Sequence, residues 1–178
     1  ITKEVNRIPY AQLVLIDGDA AQQQFTISNA SFFEPGRMIE IKLRDEGDPG
    51  SEATVFKGVV VGHGVEADSQ GSLLTVELKD AAVKLTFTRK SAVYRDQTDD
   101  QLIGQILANH GLQKGKFVAT TAKHVELVQY YCTDWDFIAA RADVSGRLVV
   151  VDDGRISLQA LAVEGAAKQT FTYGISEI

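Results

Sequence analysis

With a single cysteine, Cys132, the chain can form neither an internal disulfide nor a thiolate metal cluster, since each needs at least two thiols. Cations are in the minority, 18 Lys and Arg against 24 Asp and Glu, for a formal net charge of -6. A nucleic-acid surface needs a basic excess, and anionic lipid attracts the same sign of charge, so neither is an expected partner. No apolar run reaches the roughly 18–20 residues of a membrane span. No signal peptide opens the chain, position 1 is not Met, and the last residues are strand-like, so the sequence reads as a fragment of a longer protein. What is present, 44% hydrophobic and 24% charged residues over 178 positions, is the composition of a globular chain that can bury a core without staples.

The first half alternates like half-buried strands. Tyr10 to Ile16 is rich in β-formers and runs into the turn signal Asp17-Gly18-Asp19. Phe25 and Ile27 read as a short second strand, and Pro35-Gly36 as a turn. In Arg37 to Leu43, Ile39, Ile41 and Leu43 share one face while Glu40 and Lys42 share the other. Arg44 to Glu52 reads as an exposed hairpin loop. The apolar run Val55 to Val65 is interrupted by Gly58, Gly62 and Gly64, which predicts a strand that bends. Leu73 to Leu78 alternates, and so do Val83, Leu85 and Phe87. About six strands without a convincing helix predict a small antiparallel barrel or sandwich.

The second half has helix punctuation. Thr98, with Gln101 three residues later, has the form of a capping box, Asp99 and Asp100 occupy the first turn, and Gly111 is placed to stop the helix. Thr133, Asp134, Asp136 and Gly146 repeat that punctuation around a second helix. Leu102, Ile106, Trp135, Phe137, Ile138 and Val150 are the expected packing anchors. Arg147 to Val151, the turn Asp153-Gly154 and Ile156 to Leu158 predict a hairpin, and Thr170 to Ile178 a final strand. No internal repeat stands out.

Chemistry-bearing residue types are present without a chemistry-bearing pattern. Asp17-Gly18-Asp19 and Asp152-Asp153-Gly154 lack the oxygen-ligand spacing of a calcium loop and read as turns. His63, His110 and His124 fall in no metal-binding spacing, and His110 suits a helix C-terminus. Cys132 and His124 are the one candidate nucleophile pair, but Tyr130, Tyr131 and Trp135 around the thiol read as packing. There is no G-x-S-x-G elbow and no phosphate-binding glycine loop. The pairs Asp99/Asp100 and Asp134/Asp136 are accounted for by helix N-termini, and Glu66/Asp68 by a solvated strand end. Tyr130, Tyr131, Trp135 and Phe137 could stack bases, but the acidic chain favours a core role. The expectation is no enzyme, with no catalytic, cofactor-binding or metal-binding residue assigned.

Several segments, in this order, carry a family resemblance: Asn6-Arg7-Ile8-Pro9-Tyr10-Ala11, Phe33-Glu34-Pro35-Gly36, Val55-Phe56-Lys57-Gly58-Val59-Val60 and Leu78-Lys79-Asp80-Ala81-Ala82-Val83-Lys84-Leu85. Then come Gln97-Thr98-Asp99-Asp100-Gln101-Leu102-Ile103, Gln129-Tyr130-Tyr131-Cys132-Thr133-Asp134-Trp135-Asp136-Phe137, Val151-Asp152-Asp153-Gly154 and Thr172-Tyr173-Gly174. Together they resemble the VgrG family (Rhs element Vgr proteins), related to phage late control protein D and the contractile-tail hub proteins. The most specific part is Thr133 to Phe137 followed by the Val151 to Gly154 hairpin.

The resemblance implies a mixed, β-rich α+β fold. Residues 1–89 would form a small antiparallel β-barrel hub domain, 90–169 an α/β insert of two helices and a hairpin, and 170–178 a strand returning to a barrel. It implies a structural spike base in a type VI secretion or phage-like tail machine, homotrimeric in the full-length protein. The implied partners are the tail tube protein and the spike or needle domain. The implied location is the bacterial cytoplasm during assembly, then export, or a virion tail. The competing readings are a carbohydrate- or protein-binding β module and a cell-wall hydrolase of a tail. Neither an aromatic surface groove nor a convergent acid–base pair stands out to favour them.

Overall fold

A computed structural model describes residues 1–18, 24–44, 46–47, 50–68, 71–162 and 172. Four antiparallel strands, β1 (Tyr10–Ile16), β2 (Met38–Leu43), β3 (Ala53–Asp68) and β4 (Gly71–Lys79), form one sheet in the order β1-β4-β3-β2. Alternation decides the faces. Ala11, Ile39, Phe56, Val60, Leu74, Val76 and Leu78 point inward and, with Phe33, make an apolar cluster. The register shifts between Val60 and Gly62, the bulge that the interrupted run predicts. Gly58 is fixed by packing: a Cβ there would lie 2.5 Å from the Phe56 ring and 2.7 Å from the Lys79 carbonyl oxygen. Among the described residues the sheet is open, with β1 and β2 at its edges. Of the expected final strand, 170–178, all but Thr172 lies outside the described residues.

Two expected strands do not form. Residues 26–29 are a turn, because the Asp17 carboxylate accepts the backbone N–H groups of Ile27 (2.9 Å) and Ser28 (2.6 Å) and gathers the chain around itself. Ala81–Thr86 is a 3₁₀ helix rather than a strand. Its alternating Val83 and Leu85 still bury, but Asp80 captures the Ala82 N–H at 2.8 Å and winds the segment from its first residue. The local cap outweighs a period-two pattern only a few residues long.

The rest of the chain is β5 (Arg89–Thr98), α1 (Asp99–Asn109), β6 (Gln113–Phe117), β7 (Lys123–Thr133), α2 (Asp134–Val144), β8 (Arg147–Asp152) and β9 (Arg155–Ala160). β5 and β7 pair antiparallel as a two-stranded ribbon, and a second sheet runs β6-β9-β8 with β6 parallel to β9. The β8–β9 turn has positive φ at both Asp153 (49°) and Gly154 (76°), the type I′ geometry that Asp-Gly favours. Leu102, Ile103, Ile106, Leu107, Phe137, Ile138, Val149, Val151, Ile156 and Leu158 form the core of this half. Two anchors differ from expectation. Trp135 is only partly buried against that core, and Val150 is half-buried because the inward face of β8 is set by Val149 and Val151.

A structural repeat runs through this half, which the sequence pattern does not show. Each unit is a strand, a helix and a strand: β5-α1-β6, then β7-α2-β8. The helices are both 11 residues long and start 35 positions apart, at Asp99 and Asp134, each after a capping threonine. The first strand of each unit carries a positive-φ residue two places before that cap, Asp96 (54°) and Tyr131 (41°). Each helix is stopped by a left-handed glycine, Gly111 (65°) and Gly146 (64°). The antiparallel β5–β7 pairing relates the units by an approximate two-fold axis beside the register pair Val93 and Val128. Of these marks, only the Thr-Asp caps, the stop glycines and the Val93/Val128 pair are sequence identities. The rest is backbone geometry.

Candidate functional site

The two helix-opening aspartates are the most connected polar groups of the repeat. Asp99 is 2% exposed and Asp134 3%. Each reaches across to the end of the opposite helix and to the start of the opposite strand. Asp99 accepts from Arg141 Nε of α2 at 2.6 Å, with His124 Nε2 of β7 at 3.2 Å. Asp134 lies 2.6 Å from His110 Nε2, at the C-terminus of α1, and 2.9 Å from Lys90 Nζ of β5. A basic group at each helix C-terminus thus meets an acid at the other's N-terminus, so both macrodipoles are complemented by the same two pairs. Gln129, fully buried, joins the second cluster: it donates to Asp134 Oδ1 at 2.9 Å and accepts from the Tyr94 hydroxyl at 3.1 Å. His110 and His124 are therefore clamp groups. Sequence spacing places them 24 and 25 residues from their aspartates and gives no sign of the pairing.

Burial pushes both carboxyl pKa values up, but the partners outweigh it. Arg141 and His124 hold Asp99 below the usual carboxylate range, and His110, Lys90 and Gln129 do the same for Asp134. A depressed folded-state pKa contributes stability that is present above the unfolded value, about 3.9, and is lost as pH falls through the folded one. The urea midpoint should therefore drop on acidification below about pH 4. Asp134→Asn should be less stable than the parent at pH 7, with a deficit that narrows toward pH 3. Parallel midpoint curves across that range would contradict the clamp.

A third aspartate joins the two halves. Asp80, 1% exposed, accepts from Ala82 N and, at 2.8 Å, from Gly154 N in the tip of the β8–β9 hairpin. Beside it Asp153 Oδ1 accepts the Lys57 N–H at 3.1 Å, and Lys3 pairs with Asp152. Burial raises the Asp80 pKa despite its two N–H donors, and the neighbouring Asp153 and Asp152 charges act in the same direction. The N-terminal segment adds a further tie, with Asn6 N donating to the Val149 carbonyl and Asn6 Oδ1 accepting the Val149 N–H, both at 2.8 Å.

These contacts occupy the residues considered for chemistry. The Asp17 carboxylate is taken by Ile27 and Ser28, including the Ser28 hydroxyl. Cys132 and His124 sit eight residues apart on one strand, roughly 26 Å along it. His63 Nδ1 is 2.9 Å from the Phe33 carbonyl oxygen. Phe137 stacks on Tyr94 in the core, while Tyr130 and Tyr131 are exposed. Among the described residues no three His, Cys, Asp or Glu side chains are grouped to hold a metal ion. Nor is any helix among them long and apolar enough to cross a membrane.

Along the whole chain, residues 1–178 match one family, the Alg8 N-terminal domain. The chain belongs to that family. No curated protein sequence matches it. Among solved structures its fold is similar to the E. coli c3393 protein, a component of the type VI secretion system described as structurally similar to the T4 bacteriophage tail proteins gp27 and gp5. That likeness has a TM-score of 0.66 at 16% identity, over 88% of this chain and 43% of that one. A 43 kDa tail protein of prophage MuSo2 from Shewanella oneidensis is also similar, with a TM-score of 0.56 at 16% identity over 84% of this chain and 45% of that one. The chain thus spans less than half the length of either structure. At these identities the likeness establishes the fold: β-rich α+β, of the kind found in tail and type VI components.

Proposed function

We propose that the chain is a structural, non-enzymatic part of the hub of a contractile injection machine, a type VI secretion apparatus or a phage-like tail. The observation that carries this reading is the likeness of its fold to the E. coli type VI component. In the full-length protein the hub is a VgrG-like homotrimer that bridges tail tube and spike. Residues 1–89 are its barrel domain, 90–169 its α/β insert and 170–178 the strand that returns to a barrel. Two separate apolar clusters support a division, with Ala82 and Leu85 already packed into the second. Register shifts at Ile41/Lys42 and Val60/Gly62 support closure, since bulges bend strands as a barrel requires. The edges of β1 and β2 offer backbone groups to neighbouring chains. Such a hub is assembled in the bacterial cytoplasm and then exported, or is carried in a virion tail. Sedimentation velocity on the full-length protein should give the mass of three chains. A strictly monomeric full-length species at high concentration would overturn the reading.

A further inference from the structure

We propose that the outer face of the four-stranded sheet binds an extended segment of another protein in which two cationic side chains flank an apolar one. This goes beyond the hub reading and does not depend on it, because the surface is a sheet face rather than a strand edge between copies. The register defines three rows across β1, β4 and β3: Gln12, Glu77 and Gly62; Val14, Thr75 and Gly64; Ile16, Leu73 and Glu66. Ile16 is 82% exposed and Val14 57%, an apolar rim with nothing described above it.

The floor of this face is bare backbone at Gly62 and Gly64. A Cβ on Gly64 would meet nothing within 4 Å, and one on Gly62 only the Glu77 Oε2 at 3.7 Å, and neither residue has a positive φ. Gly58, on the same strand, is demanded by packing and Gly62 flanks the bulge, whereas Gly64 costs strand stability without a return inside the chain. Glycine floors of this kind suit close approach by another backbone. The groove above them, about 570 Å³, is lined by both glycines, Gln12, Thr75, Glu66 and Glu77.

Charge selects the occupant. Glu66 and Glu77 are exposed and form no ion pair among the described residues. Three described cations share this face and pair with neither: Lys79 lies one row beyond Glu77, while Lys57 and Lys42 are paired with Glu40 and Glu52 on the β2 side. Glu77 lies four residues along β4 from Leu73, the register partner of Glu66, so the two acids are about 13 Å apart along the strands. That is the spacing of side chains i and i+4 on one face of an extended chain. The i+2 side chain between them would rest on Val14 and Gly64.

The test uses the full chain and a labelled peptide of the form Lys-Thr-Val-Thr-Lys, with Glu-Thr-Val-Thr-Glu as its control. Fluorescence anisotropy should show saturable, salt-sensitive binding of the first peptide only. Glu66→Lys with Glu77→Lys should weaken it at least tenfold, and so should Gly64→Trp, while Glu126→Lys on the β5–β7 ribbon should leave it unchanged. Gly64→Thr should raise Tm by about 2–4 °C, as filling an open strand position should. The proposal is overturned by no saturable binding at millimolar peptide, by binding indifferent to the two charge reversals, or by a Gly64→Thr protein less stable than the parent.

Discussion

Truncating Ile138 to alanine should cost about 4 kcal/mol, more than half the stability of many single domains. Ile138 is fully buried on α2 and belongs to the same cluster as Leu102, Ile106, Val149 and Leu158, which come from the other helix and two strands. Losing three buried carbons removes about 2.4 kcal/mol of transfer free energy at about 0.8 per group. The cavity adds the rest, because neighbours held by two helices and a sheet cannot collapse into it. The urea midpoint should fall with the slope unchanged. The repeat sharpens the expectation. Ile103 occupies the equivalent place on α1, is equally buried, and should lose a similar amount on truncation. Val144, 71% exposed at the end of the same helix as Ile138, should stay within about 0.5 kcal/mol when made alanine. A loss under about 1 kcal/mol at Ile138 would contradict this core.

What could be read in the sequence follows from which forces act locally. The two helices, their stops and the Asp153-Gly154 hairpin were legible because caps, left-handed glycines and turn types depend on a few adjacent residues. β1, β2 and β4 were legible because one face of each is buried and the other is wet. β5 was not: in Arg89 to Thr98 only Tyr94 is buried, so the strand shows almost no alternation. β7 was obscured in the same way by the exposed Val125, Val128, Tyr130 and Tyr131, of which the two tyrosines read as packing and instead face outward. The 3₁₀ turn after Asp80 was missed because its second support, the Gly154 N–H, comes from a residue 74 positions away. The clamps were out of reach for the same reason. Asp99 and Asp134 each had an adequate local explanation at a helix N-terminus, and only the folded chain brings Arg141 and His110 to them. The resemblance to tail hubs came from the order of segments, and the fold comparison supports it at the level of the fold. Closure of the sheet into a barrel depends on long-range pairing and remains part of the proposal.

Replacing Arg141 with methionine should destabilise the protein by about 3 kcal/mol at pH 7, out of proportion to one hydrogen bond. The apolar part of the side chain is roughly conserved, so little packing is lost. What changes is that the Asp99 carboxylate, 2% exposed, is left with His124 at 3.2 Å after losing Nε at 2.6 Å. An unpaired buried charge is far costlier than the pair is favourable, and for that reason the second substitution should rescue the first. Asp99→Asn combined with Arg141→Met should be more stable than Arg141→Met alone, a coupling that a double-mutant cycle measures directly. Acid should act in the same direction. In the parent the pairing holds the Asp99 pKa below the usual range, so acidification removes stability. Without Arg141 burial pushes that pKa upward, so the folded variant takes up its proton sooner and its deficit shrinks as pH falls toward 4. Lys90→Met at the other clamp should cost less, because that amine is about a third exposed and Asp134 keeps both His110 and Gln129. Equal losses at the two clamps, or an Arg141→Met deficit that does not change with pH, would show that burial of Asp99 is not what makes the pairing matter.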